Sequence, residues 1–240
     1  RIERDDLSVE LCALYNQTGA HEKALALVSS RNFQPWEGGE GGPLGQWVRS
    51  HLALGRAALR SVAAGILPAA KPSGNAGRSK EPEASEISGT LSGRQDAALH
   101  VRQGCPTLPT LAVAHFRSAL TAPVNLGEAK HLLANQSDIH YWLGCGLAEL
   151  GETKQARQHW RAAATFKGDF QEMSVRAFGE LTYYSALAWE KLGQRAQAKK
   201  LLRDLLAYAQ ELQKAEAKVD YFATSLPTML LFDDDLRFRQ

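Results

Sequence analysis

Three glycines in this chain are each followed five residues later by an alanine: Gly19 and Ala24, Gly151 and Ala156, Gly193 and Ala198. A stretch with apolar residues at helical period precedes each glycine, and another follows it. Glycine suits the left-handed residue that ends a helix in a tight turn, and alanine lets the returning helix approach its partner closely. A helical hairpin cannot bury its apolar face alone. The recurrence therefore predicts hairpins stacked in series, each covering the next.

In the first pair, Leu7, Leu11, Leu14 and Tyr15 share one face, and Ala24, Leu25 and Val28 face back after Gly19. A later pair has Ser137 or Asp138 as helix cap and Ile139, Leu143 and Leu147 inward, with Gly144 permitting close approach. Thr153 is the expected cap of its second helix, which turns Ala156, Trp160 and Ala163 inward. The last pair repeats this with Leu181, Ala186 and Trp189, then Ala198, Leu202 and Leu205.

A fourth copy is interrupted. The stretch from Trp47 to Leu59 reads as a first helix, with Leu54-Gly55 in the places of Leu143-Gly144. Its partner comes some fifty residues later, where Ala112, Phe116 and Ala119 take the inward places before Pro123. Between them, from about Ala64 to Thr110, the composition shifts to Gly, Pro, Ser and Ala with scattered charge. Such a stretch buries too little apolar surface to order itself, and it resembles a translated repetitive element that landed in frame. Closing a longer loop costs only about 0.6 kcal/mol per doubling of its length, so a turn between packed helices can carry the insertion. The expected organisation is hairpin units over 1–60, a disordered insertion over 61–110, and the remaining units over 111–240.

The small-residue positions resemble those of the tetratricopeptide repeat, a helix-turn-helix unit of about 34 residues. Cys12, Gly144 and Ala186 take the small place in the first helix, and Ala24, Ala156 and Ala198 that in the second. The last small place holds Ala163 in one unit but Arg31 and Leu205 in others, a departure from the pattern. The resemblance implies an all-α, helical-hairpin solenoid whose first helices line a groove. Carried onto this chain, the groove positions are Asp138, Tyr141, Cys145 and Ala148 in one unit and Tyr183, Leu187 and Glu190 in the next. The Lys and Asn of the carboxylate-clamp subtype are missing there, which leaves an aromatic and apolar groove. Its occupant would be an extended or helical peptide, or the protein's own long connectors.

Those connectors run over residues 32–45, 124–136 and 166–179. In the first, Phe33 and Trp36 offer stacking faces and Glu37 and Glu40 offer acceptors, a combination suited to sugars, with His131 of the second connector as a companion on the same rim. The competing reading is that the aromatics pin the connector onto the helices. His131, Asp138 and His140 match no metal-ligand spacing, and Asp233-Asp234-Asp235 reads as a solvated helix start. No metal, cofactor or catalytic residue is assigned.

Composition narrows the rest. A net charge of +2 over 240 residues gives no support to a nucleic-acid or membrane-surface partner. Cys12, Cys105 and Cys145 form no CxxC pair and are compatible with a reducing compartment, with the cytoplasm favoured. The opening Arg1-Ile2-Glu3-Arg4 lacks a methionine, so the chain is expected to be part of a longer protein. Repeats with long Trp-, Gly- and His-bearing connectors are also similar to the repeat region of large bacterial multidomain proteins with an uncharacterised domain ahead of it. The expected function is a scaffold or interaction module for a protein, a peptide or other domains of the same parent. The alternative is a carbohydrate-binding or carbohydrate-processing accessory region using Phe33, Trp36, Glu37, Glu40 and His131.

Overall fold

The computed structural model describes residues 4–34, 41–65, 107–171 and 174–214. Residues 66–106 of the expected insertion, the Trp36, Glu37 and Glu40 part of the first connector and the Asp233–Asp235 run lie outside the described residues, while helix extends to Ala63 and resumes at Leu108, inside the bounds of 61–110 expected for the insertion. Among those described, eight helices pack each against its sequence neighbours: α1 (Asp5–Gln17), α2 (His21–Ser29), α3 (Gly42–Ala63), α4 (Leu108–Ala119), α5 (Ser137–Glu149), α6 (Thr153–Thr165), α7 (Thr182–Lys191) and α8 (Arg195–Lys214). The fold is all-α as expected, with one small addition. The third connector holds a short antiparallel ribbon, β1 (Asp169–Gln171) with β2 (Ser174–Arg176), paired Phe170 to Val175. Three residues per strand carry no hydrophobic alternation long enough to read.

Three of the helix–helix turns are congruent. Gly19, Gly151 and Gly193 have φ of 80°, 78° and 84°, a region in which an added Cβ would be strained even though nothing crowds it. After each glycine the next residue donates its N–H back into the preceding helix: Ala20 to Tyr15 O at 2.8 Å, Glu152 to Leu147 O at 2.9 Å, Gln194 to Trp189 O at 2.8 Å. Such bonds satisfy carbonyls that a helix end otherwise leaves open. Behind the turns, Ala24, Ala156 and Ala198 are fully buried.

The close approach comes from the glycines inside the first helices. A Cβ on Gly144 would lie 2.5 Å from Trp160 Nε1, and one on Gly55 would lie 2.5 Å from Phe116 Cε1. Gly55 is on α3 and Phe116 on α4, so the two helices that flank residues 66–106 form a hairpin like α5–α6. Trp47 Nε1 donates to Ser118 O at 3.0 Å across the same contact. The larger core joins Ala112, Val113, Phe116, Tyr141, Leu143, Leu147, Ala156, Trp160 and Ala163. A second core joins Val9, Cys12, Ala24, Val28, Phe33, Leu44 and Leu126.

Several local expectations change. On α1 the core face is Ser8, Val9, Cys12 and Asn16, while Leu7 and Leu14 remain 49% and 55% exposed. Periodicity alone cannot tell which of two adjoining faces a neighbour covers. Helix α3 begins at Gly42, inside the expected connector, and α4 begins at Leu108 with Thr107 as its cap. Neither Ser137, Asp138 nor Thr153 is a capping residue; each lies within its helix. Asn135 does the related work at α5, accepting from Ser137 N at 2.9 Å. Asn16 is buried and donates to Gln46 Oε1 at 3.0 Å.

Candidate functional site

Asp138, Tyr141 and Cys145 lie on α5, and Tyr183, Leu187 and Glu190 lie on α7, which packs against it. The Tyr141 ring sits 5.2 Å from Trp142 and 5.9 Å from Tyr184, and Tyr184 is 5.8 Å from Tyr183. Tyr141 is itself buried, one helical turn before Cys145 on α5. Burial raises the phenol's pKa, and Cys145, Tyr183 and Glu190 push it the same way. Burial also raises the Cys145 thiol, with Lys191 opposing, so neither group is activated for nucleophilic chemistry. Leu187 packs on the larger core. The side chains that reach solvent are Tyr183, 49% exposed, and Glu190. Of the seven expected groove positions, Tyr141, Cys145, Tyr183, Leu187 and Glu190 gather around one aromatic step with a carboxylate at its edge, while Ala148 is an exposed residue of α5. Asp138 stands apart at the start of α5, where its Oδ1 accepts from Ile139 N at 2.7 Å and its charge acts on Lys130.

The connector residues are placed differently. Phe33 is buried in the smaller core, with the Arg31 guanidinium 5.8 Å from its ring, so no ring face is open to a ligand. His131 is exposed, and its Nδ1 accepts from Leu133 N at 3.2 Å. The first two connectors interlock. Phe33 N donates to Asn125 O at 2.7 Å, and Asn125 Nδ2 donates to Val28 O at 3.1 Å and Arg31 O at 2.8 Å. Glu128 accepts from Gly41 N at 2.6 Å and Leu44 N at 2.5 Å, so a carboxylate sits on the positive N-terminus of α3. Lys130 Nζ donates to Ala119 O at 2.6 Å at the end of α4, and burial pulls its pKa down to about 8. The roles of Glu128 and Lys130 had no signal in the sequence, because each acts on a helix end distant along the chain.

Two histidine pairs were also missed. His51 and His115 join α3 to α4 with Nδ1 atoms 2.9 Å apart, and His140 and His159 join α5 to α6 with the same separation. They occupy equivalent places: each first-helix histidine precedes the tight glycine by one turn, and each second-helix histidine directly precedes the ring that the glycine accommodates. Burial lowers all four pKa values, His51 and His140 to about 4, so each pair is neutral near pH 7, one ring donating its Nδ1 proton to the other. His51 Nε2 is buried with no partner. An unpaired lone pair is tolerated better than an unpaired N–H, which assigns the shared Nδ1 proton to His51. The signal that could have found them is this repeated placement beside Gly55 and Gly144.

Among the described residues, no group of three or more His, Cys, Asp or Glu side chains is arranged to hold a metal ion. No described helix is long and apolar enough to cross a membrane. No protein family and no solved structure matches the chain, so the helical fold and these side-chain clusters are what its function must be argued from.

Proposed function

We propose that the chain is a tetratricopeptide-like array of helical hairpins that works as a protein-interaction or scaffolding module, with no catalysis of its own. The congruent glycine turns, the buried alanines behind them and the histidine pairs at equivalent places support the repeat reading. The interaction reading is carried by the aromatic step on α5 and α7, where Tyr183 stands half-exposed on the same helix as exposed Glu190, near buried Tyr141 and partly buried Leu187. A fixed aromatic ring with an adjoining apolar floor gains affinity by burying a side chain, and the carboxylate orients a donor or a cation. The occupant is a peptide segment, from another protein or from another domain of the same parent.

Selection of a displayed random-peptide library against the 240-residue chain tests this, followed by affinity measurement of an enriched peptide. Tyr183→Ala is expected to weaken that peptide by about tenfold or more, the scale of one interface anchor, without lowering the melting temperature. Failure to enrich any peptide, or an enriched peptide indifferent to both Tyr183→Ala and Glu190→Gln, would refute the assignment.

A further inference from the structure

Arg56 on α3 directly follows Gly55, as Cys145 on α5 follows Gly144 and Leu187 on α7 follows Ala186, so it takes the same place one helix earlier. Its guanidinium carbon lies 5.1 Å from the centre of the Trp142 ring. Trp142 lies edge-on to Tyr141 at 5.2 Å, Tyr141 is 5.9 Å from Tyr184, and Tyr184 is 5.8 Å from Tyr183. The aromatic step therefore belongs to a row of rings that runs from α3 across α5 to α7. Arg56 stands at the α3 end of the row, and Glu190 is on α7, near enough to act on the Tyr141 hydroxyl.

The charge of Arg56 is uncompensated. Among the described residues no group accepts a hydrogen bond from its side chain, and its Nε is buried without a partner. Trp142 Nε1, in the same contact, is a second buried donor with no acceptor. The Arg56 residue is only partly buried, and its terminal nitrogens keep access to solvent. Arg31 shows what such an arginine ordinarily has. Its guanidinium also lies on a ring, 5.8 Å from the centre of Phe33, and it is paired with Asp5 at 2.7 Å. Arg56 has the ring and lacks the acid.

We propose that the bound peptide supplies this acid: an Asp or Glu side chain pairs with Arg56 beside Trp142, while another side chain of the same peptide packs on Tyr183. The inference rests on the peptide reading of the aromatic step and adds to it a residue class and a direction. Contact with the indole holds the guanidinium and removes part of its water, which strengthens its pull on an anion. A carboxylate matches the guanidinium fork with two charge-assisted hydrogen bonds. One arginine balances one carboxylate, whereas phosphate groups are met by clusters of arginines. Glu190 repels an acid from the α7 end, so the acidic part of the peptide lies toward α3.

The probes are peptides enriched on the 240-residue chain and synthesised with both ends blocked, so that side chains carry their only carboxylates. Each peptide that needs Tyr183 is expected to hold an Asp or Glu whose change to Asn or Gln weakens binding by about tenfold, and by less at high salt. Against Arg56→Gln the same change is expected to matter by less than about twofold, the mark of a direct pair in a double-mutant cycle. Arg56→Lys, which keeps the charge but not the fork, is expected to fall between. Arg56→Glu is expected to prefer the peptide with Lys in place of its acid, an exchange that a merely structural role would not produce. A peptide that needs Tyr183 but binds Arg56→Gln as tightly as wild type overturns the proposal and leaves the peptide site standing. An acid-to-amide change that costs as much against Arg56→Gln as against wild type does the same. Enrichment of no peptide refutes the peptide site and this proposal with it.

Discussion

The two histidine pairs make stability fall with pH in a window where few other groups titrate. His51 is 6% exposed and its pKa is held down to about 4 from 6.5, by burial first and then by His115; His140 is held near the same value by burial, His159 and Lys130. The charged groups that act on the partner rings are Glu22 on His115 and Arg117 on His159. As pH falls below 6.5 the unfolded chain takes up protons that the folded pairs refuse. The stabilisation is therefore complete above 6.5 and is lost on the way down to about 4. Between pH 6.5 and 5 linkage gives about 1.5 kcal/mol for each of the two histidines, reduced to about 1 kcal/mol each for the solvent that still reaches them. A loss of about 2 kcal/mol is a sizeable part of a typical domain's 5–15 kcal/mol. Urea denaturation at fixed temperature across this range reads it directly, since carboxylates change little above pH 5. The double variant His51→Gln with His140→Gln is expected to start less stable but to flatten the pH dependence. A wild-type curve that is flat from 6.5 to 5, or a slope that survives in the double variant, would refute the reasoning.

The packing makes three further predictions. Gly144→Ala drives a methyl into Trp160 and is expected to cost about 1–3 kcal/mol in a urea titration, and Gly55→Ala the same against Phe116. Gly193→Ala meets open space but keeps φ at 84°, so its cost is expected to be about 1 kcal/mol, and an equal or larger loss than Gly144→Ala would contradict this division. Glu128→Gln removes the charge bound to Gly41 N and Leu44 N and is expected to lower stability by about 1 kcal/mol, with an effect that shrinks at high salt.

Much of the hairpin pattern was legible in order along the chain. The turn glycines Gly19, Gly151 and Gly193 and the buried alanines Ala24, Ala156 and Ala198 follow from local periodicity and the need for close approach, and the partnership of the Gly55 and Phe116 helices from matching both to the other units. The candidate groove was legible only as positions carried over from a resemblance. That Tyr141 is buried while Tyr183 is half-exposed depends on how α5 sits against α7.

The residues that escaped reading share one property: their partners are far away in sequence. Glu128 serves the start of α3, Lys130 the end of α4, and His51 meets His115 across the expected insertion. Leu7 and Leu14 show the limit most plainly. Their helical spacing marks an apolar stripe, but whether a stripe is core or open surface depends on the helix laid over it. Sequence by itself determined which segments are helical hairpins and where the chain turns, because backbone conformation and side-chain size act over a few residues. Only the tertiary structure decided which faces are covered, which histidines meet and which rings stay open to a partner, because those depend on the packing of whole helices on one another.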